Sequence, residues 1–488
     1  MHTKQCLFLR IVVTLGALLA IASATQAAPQ APQGEPVTIG QRYKIESKVL
    51  GETRSYIVHK PQGYDFSNDS YSLVVLLDGD ANIHHVSAST DFLANSGRAL
   101  PMIVVGIENT DRQRDLTPPL TGAPPQSMPS GKVGGAPKFL SFIADELIPY
   151  LDRTYRTRPT RILIGHSYGG LFAVYALFNR PEVFKAYIAV SPSLSWDDQA
   201  LTKQADKFVV DHKDLRAAMY MTMGHEGGPM LGGAQKIIGS LASSRGGIGA
   251  EFQHWPEESH GSIVMRSVYK GLEWLHEPYY IHDPVRAYEE SGLQFFDKRF
   301  ALISKYLGYE VKAPETVLMN VQERLREMQR PTEALAVLDR VLQLYPHSSG
   351  ARYELGKTFL DTDDKQRAEA EFRRTLAEFP GNISVRTALE KLGVDPRTIV
   401  VDAQLAPGVL RSYVGEYRYS DETSQVTFED GKLFMNVRRD QHELRPQSAV
   451  DFYAMDTDRK YTFHKKAGRT TSVTVHLPEF EYDSVKVK

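Results

Sequence analysis

Residues 165–169 read Gly165-His166-Ser167-Tyr168-Gly169. They follow the apolar run Ile162-Leu163-Ile164 and precede the small-residue segment Gly170-Leu171-Phe172-Ala173-Val174-Tyr175-Ala176-Leu177. A buried strand that ends in a glycine-flanked serine and turns at once into a helix leaves few folds open. The turn must be sharp, and its glycines let strand and helix approach. The serine is forced into a strained backbone, with its hydroxyl exposed at the end of a sheet. A serine held in this way is a candidate nucleophile.

The surroundings fit such a turn. From about 37 to 280 strand-like and helix-like segments alternate. Residues 54–60 alternate apolar and polar, as a half-buried strand does. Residues 73–77 and 102–107 are short apolar runs, as buried parallel strands are. Further strands are expected at 162–164, 186–190, 217–223 and 252–255, and helices at 139–151 and 263–275. This alternation predicts an α/β fold, a mostly parallel sheet covered on both faces. Residues 112–137 interrupt it with Pro118, Pro119, Pro124, Pro125, Pro129 and Pro137 and four glycines. So long an irregular stretch in a compact domain reads as a functional loop or lid.

A serine hydroxyl needs a base, and the base needs an orienting group. Where a strand, a serine and a helix meet in this way, the chain order is serine, acid, histidine. The strand at 217–223 runs into Gly224-His225-Glu226-Gly227-Gly228, and Glu226 is the expected acid, with Glu257 and Glu258 as rivals and a serine–histidine dyad without an acid as the other reading. His260, in the loop Glu257-Glu258-Ser259-His260-Gly261-Ser262 before the last helix, is the expected base. His225 and His254 are the alternatives, and His84 and His85 belong to another loop. Donors for a developing oxyanion are expected from the N–H of Tyr168 and from Gly79 or Asp80 in the loop Leu76-Leu77-Asp78-Gly79-Asp80. Asp78 reads as a structural acid. Arg112 and Arg114 could grip an anionic substrate group or pair with Asp111 and Asp115, and Trp196 could stack on substrate or pack.

Elsewhere the chain reads differently. Lys4 and Arg10 precede a short apolar core at 11–24 and small residues at Ala22, Ala24, Ala27 and Ala28, the pattern of a cleaved export signal over 1–28. A periplasmic or secreted location is therefore expected. The only cysteine, Cys6, falls inside that signal, so disulfides are not expected after cleavage. A Pro-rich leader covers 29–36. No His or Cys spacing suggests a metal, no cofactor is expected, and a net charge of −2 gives no reason to expect nucleic acid. After about 285 a 34-residue period pairs Ala334 with Ala368, Leu338 with Phe372, Leu342 with Leu376 and Pro346 with Pro380. That period, with Leu355-Gly356 and Phe359 in the second copy, resembles tetratricopeptide repeats, and the repeats could bind a protein partner. Short strands and the turn Glu429-Asp430-Gly431-Lys432 predict a small antiparallel β domain over 405–488. Its opening, Leu410 to Tyr417, resembles the small β domain found behind secreted β-lactamase-like hydrolases.

With these pieces placed, region 37–282 resembles a family of α/β-hydrolase esterases. That family includes S-formylglutathione hydrolases, siderophore esterases, feruloyl esterases and mycolyltransferases. The matching stretches include Leu76-Leu77-Asp78-Gly79-Asp80, Val105-Gly106-Ile107-Glu108-Asn109, Arg112 to Pro118, Gly165 to Gly170, Ser191-Pro192-Ser193 and Ser259-His260-Gly261-Ser262. The Leu-Asp-Gly and His-Gly loops are similar to those of periplasmic siderophore esterases, from which the repeats over 285–395 and the β domain depart. The resemblance implies an exported serine esterase acting on a small-molecule ester, with no membrane association after signal cleavage. A non-catalytic scaffold built on the repeats and an acyltransferase on the same fold are the other readings.

Overall fold

The computed structural model describes residues 37–122, 133–244, 247–420 and 422–488. The expected export signal, the leader, and Pro124, Pro125 and Pro129 of the 112–137 stretch lie outside the described residues. The strands of the first domain are β1 (Gln41–Ser47), β2 (Glu52–His59), β3 (Tyr71–Leu76), β4 (Met102–Ile107), β5 (Thr157–His166), β6 (Ala186–Val190), β7 (Ala218–Met223) and β8 (Gly249–His254). They form one sheet in the order β1-β2-β4-β3-β5-β6-β7-β8. β1 and β2 are antiparallel to their neighbours, and all other pairs are parallel.

The central strands β3, β4, β6 and β7 are buried along their whole length. Their continuous apolar sequences follow from cover on both faces. One face packs against Phe139, Phe142, Leu171, Phe172 and Ile237, and the other against Ile83, Val86, Ile263, Val268 and Leu272. The helix expected at 139–151 is interrupted: Phe142–Leu147 is π-helical between Ala136–Ser141 and Ile148–Thr154. Pro149 has no N–H for the ladder and its ring crowds the preceding turn, which the wider π turn relieves.

Seven helices follow: Pro284–Ser291, Leu293–Leu307, Glu315–Glu327, Pro331–Leu344, Ser349–Asp361, Lys365–Glu378 and Ile383–Lys391. The 34-residue period is a packing period, since Ala334, Leu338, Ala368, Phe372 and Leu376 are all fully buried. Gly356 is small because a Cβ there would meet the Phe372 ring at 2.3 Å. One period earlier the pair is Val321-Gln322, and the buried Gln322 leaves its Oε1 without a hydrogen-bond partner among the described residues.

The last domain is an eight-stranded closed antiparallel barrel: β9 (Gly415–Tyr419), β10 (Glu422–Glu429), β11 (Lys432–Val437), β12 (Asp440–Pro446), β13 (Asp451–Ala454), β14 (Lys460–Lys466), β15 (Arg469–His476) and β16 (Glu481–Lys486). The β10–β11 hairpin turns through Asp430 (φ 47°) and Gly431 (φ 82°), both left-handed as a tight hairpin requires.

Both additions dock at the N-terminal edge of the parallel strands. Tyr309 Oη lies 3.4 Å from Ser72 Oγ, and Thr160 Oγ1 donates to the Leu307 carbonyl at 3.4 Å. Arg158 stacks on the Tyr309 ring at 4.0 Å. The barrel meets the helices where Asp456 N–H donates to the Gly381 carbonyl, and it meets the sheet domain where Phe66 packs on Tyr482 at 5.3 Å.

Candidate active site

The site lies at the opposite edge of the sheet, past the C-terminal ends of β3, β5, β7 and β8. Ser167 joins β5 to the helix Tyr168–Asn179 with φ 59° and ψ −114°, a region that non-glycine residues avoid. The turn is held by backbone bonds on both sides. Ser167 N–H donates to the Val190 carbonyl at 2.9 Å, and the Ser167 carbonyl accepts from Leu171 at 2.9 Å and from Ser193 at 3.1 Å. The glycines follow from close approach: a Cβ on Gly165 would lie 2.2 Å from the Gly169 carbonyl oxygen.

Glu226, just past β7, points its carboxylate at Nδ1 of His260, which sits in the loop after β8. Burial pushes the Glu226 pKa up. Its hydrogen bond to His260, its own backbone N–H and the imidazole charge outweigh this, and the pKa falls below the ordinary glutamate value. Its other carboxylate oxygen is buried, with Ser191 as its polar neighbour and no hydrogen bond of good geometry among the described residues. The His260 side chain is 40% exposed and so can meet an incoming molecule. Glu257 and Glu258 pair with Arg266 instead. His225 hydrogen-bonds the Glu258 carbonyl and His254 the Gly224 carbonyl. His84 and His85 lie not in a loop but on the helix Gly79–Asn95, where His84 is exposed and His85 contacts Asn82.

His260 is tied to the serine turn through its backbone. His166 Nε2–H donates to the His260 carbonyl at 2.7 Å, and the two rings are 4.7 Å apart. Burial, aided by the neighbouring His260, lowers the His166 pKa, which keeps that ring neutral. Among the described residues, Ser167 Oγ has Ser193 Oγ as its hydrogen-bond partner, at 3.3 Å. No hydrogen bond joins it to His260. Such contacts are often long until substrate is bound.

Tyr168 opens one helix, and Gly79 and Asp80 open another, Gly79–Asn95. N–H groups in a first helical turn have no acceptor within the helix, and the helix dipole favours negative charge beside them. Gly79 is required by packing, since a Cβ there would meet the Gly106 backbone at 2.3 Å. Asp78, left-handed at φ 53°, precedes these donors. Arg112 grips both its oxygens at 2.6 and 2.9 Å and also donates to the His166 carbonyl at 3.0 Å. Asn109 adds a bond to Asp78 at 2.8 Å. One guanidinium thus joins the Gly79 loop to the serine turn.

The structure brings Ser167, Tyr168, Gly79, Asp80, Glu226, His260 and Arg112 to one edge. Arg114 is engaged by Glu52 and Asp115, beside the buried Arg54. Trp196 is buried, donates to the Pro118 carbonyl at 3.1 Å and meets the edge of Tyr168 at 5.8 Å. It holds the described start of the 112–137 stretch against the serine helix. His166, Ser191 and Ser193 were given no role from sequence. His166 sits inside the pentapeptide and the serines at the end of β6, which is the signal that could have flagged them.

Residues 47–231 match the model of the family described as "Putative esterase". This stretch is similar to that esterase family. Residues 325–392 match a tetratricopeptide-repeat model. The chain is 29% identical over 233 residues to the ferri-bacillibactin esterase BesA of Bacillus subtilis, covering 43% of this chain and 80% of that one. It is 34% identical over 165 residues to the siderophore enterobactin esterase of Emericella nidulans, covering 30% of this chain and 54% of that one. The crystal structure of an IroE-like serine hydrolase from Shewanella oneidensis superposes with a TM-score of 0.53 at 28% identity, over 63% of this chain and 99% of that one. The esterase domain therefore carries the fold and sequence of hydrolases that act on esters.

Proposed function

We propose that the protein is an exported serine esterase, periplasmic or secreted, that hydrolyses an ester of siderophore type through an acyl-enzyme on Ser167. The observation that carries this reading is the Glu226–His260 contact beside a strained serine turn. His260 takes the proton of Ser167 as Oγ attacks the ester carbonyl, and Glu226 fixes the imidazole with Nδ1–H toward the carboxylate. The N–H groups of Tyr168 and of Gly79 or Asp80 receive the oxyanion. His260 then protonates the leaving alcohol, and water attacks the acyl-enzyme by the same route in reverse. The relatives' ester substrates support the siderophore class, and the sequence of residues 1–28 supports export.

The Ser167→Ala protein should stay folded, lose hydrolysis of a p-nitrophenyl ester and escape labelling by a fluorophosphonate probe. Retained labelling at another residue would overturn the assignment of Ser167. Chromatography of products from a siderophore trilactone tests the substrate class separately. Hydrolysis of the p-nitrophenyl ester with an intact trilactone would remove that class and leave the mechanism.

A further inference from the structure

The barrel holds a cavity of its own, at the sheet edge opposite the serine. Along each barrel strand alternate side chains face inward. At one end this inward set is a solid aromatic core, where Tyr413, Phe452 and Phe463 pack at centroid distances of 4.4–5.4 Å. At the other end the same set continues as Ser424, Met435, His442, Tyr461 and Ser484, and these smaller or polar groups leave a cavity of about 640 Å³. An eight-stranded barrel is wide enough to hold one small ligand where side chains do not fill it, and this volume lies within the range of small-molecule sites.

The chemistry of the cavity is divided. Its outer wall is aromatic: the rings of Tyr419 and Tyr482 are 4.3 Å apart, and Phe66 of the esterase domain meets Tyr482 at 5.3 Å. Deeper, Tyr461 is only 2% exposed; the Arg459 side chain is the near polar neighbour of its hydroxyl, which makes no hydrogen bond of good geometry among the described residues. A buried hydroxyl left in this state is costly unless a ligand or water completes it. Arg459 also lines the cavity, beside Tyr461 and Tyr482, and forms no salt bridge among the described residues. The carboxylates around the mouth are otherwise placed: Glu422 pairs with Arg438, Asp458 accepts from Ser349, and Asp440 is exposed at the rim. The unused groups inside are therefore donors beside an aromatic surface.

We propose that the barrel mouth binds a small aromatic carboxylate, with its carboxylate on Arg459 and Tyr461 and its ring on the Tyr419–Tyr482–Phe66 wall. The site does not depend on the esterase reading. The test is fluorescence anisotropy on the full chain with 2-aminobenzoate, using the neutral 2-aminobenzamide as comparison. 2-Aminobenzoate should bind saturably, and equally well to the Ser167→Ala protein. Arg459→Gln should weaken it at least tenfold while changing 2-aminobenzamide less than twofold. Tyr461→Phe, which removes one buried hydroxyl beside Arg459 and keeps the ring, should weaken 2-aminobenzoate several-fold with an unchanged melting temperature. Ser424→Trp, which fills the mouth, should abolish binding of both probes. No binding to the parent chain, or equal 2-aminobenzoate affinity in the parent, Arg459→Gln and Tyr461→Phe proteins, would overturn the site.

Discussion

Arg112→Met tests whether the guanidinium between the two halves of the site positions the oxyanion donors. The substitution keeps most of the side-chain stem and removes two bonds to Asp78 and one to the His166 carbonyl. The Asp78 side chain is 6% exposed and, among the described residues, would keep only Asn109 as a side-chain donor. Breaking a buried ion pair from one side costs about 3–5 kcal/mol. Arg112 is one-third exposed, so water replaces part of what is lost, and about 2–3 kcal/mol is expected here. Gly79 and Asp80 follow Asp78 directly. If the loop drifts, one donor is lost, which lowers kcat roughly 10²- to 10³-fold. Steady-state hydrolysis of a p-nitrophenyl ester together with a thermal melt reads both effects. A loss confined to KM would make Arg112 a substrate contact. A kcat within threefold of the parent and an unchanged melt would refute the positioning argument altogether.

Glu226→Gln should lower kcat by about 10³- to 10⁴-fold in the same assay, because the amide no longer stabilises the imidazolium. The folded-state pKa of Glu226 lies below its unfolded value, so its contribution to stability is complete above the unfolded value and is lost as pH falls through the folded one. Urea melts across the acid range should therefore show a shallower pH dependence for the Gln variant. Ser167→Gly and Ser167→Ala should both be inactive, but the glycine form should be the more stable by about 1 kcal/mol, since it alone adopts φ 59° without strain; equal stability in denaturant titrations would count against strain at the turn. Gly356→Ala should destabilise the helical array by about 1–3 kcal/mol through its clash with Phe372, seen as a lower urea midpoint.

How far the sequence could be read followed from burial. β4 and β6 coincide with the apolar runs at 102–107 and 186–190 because strands covered on both faces are apolar throughout. β1, Gln41–Ser47, was not anticipated, since an edge strand exposed along most of its length carries no such run. The barrel was half legible. Four of its strands carry short apolar or alternating patterns, at 426–428, 433–437, 451–455 and 471–475, whereas β12 and β16 are mostly polar, and closure of a sheet leaves no mark on any single strand. Chain order led to Glu226 and His260 because each follows the end of a strand. No local pattern could show that Arg112 meets Asp78 across 34 residues, or that Arg114 turns toward Glu52 instead. Those pairings depend on how separate strand ends are brought together.

The docking of both additions at the N-terminal sheet edge has a consequence for traffic through the molecule. Strands of six residues hold the two edges about 20 Å apart. A partner seated on the helices, or a ligand in the barrel, would lie at the far edge of the sheet from Ser167 and would not cover the serine turn. The same distance forbids direct hand-over. Were an aromatic acid released at Ser167 and bound by the barrel, it would have to pass through solvent between them, so retention would depend on local concentration and not on a channel.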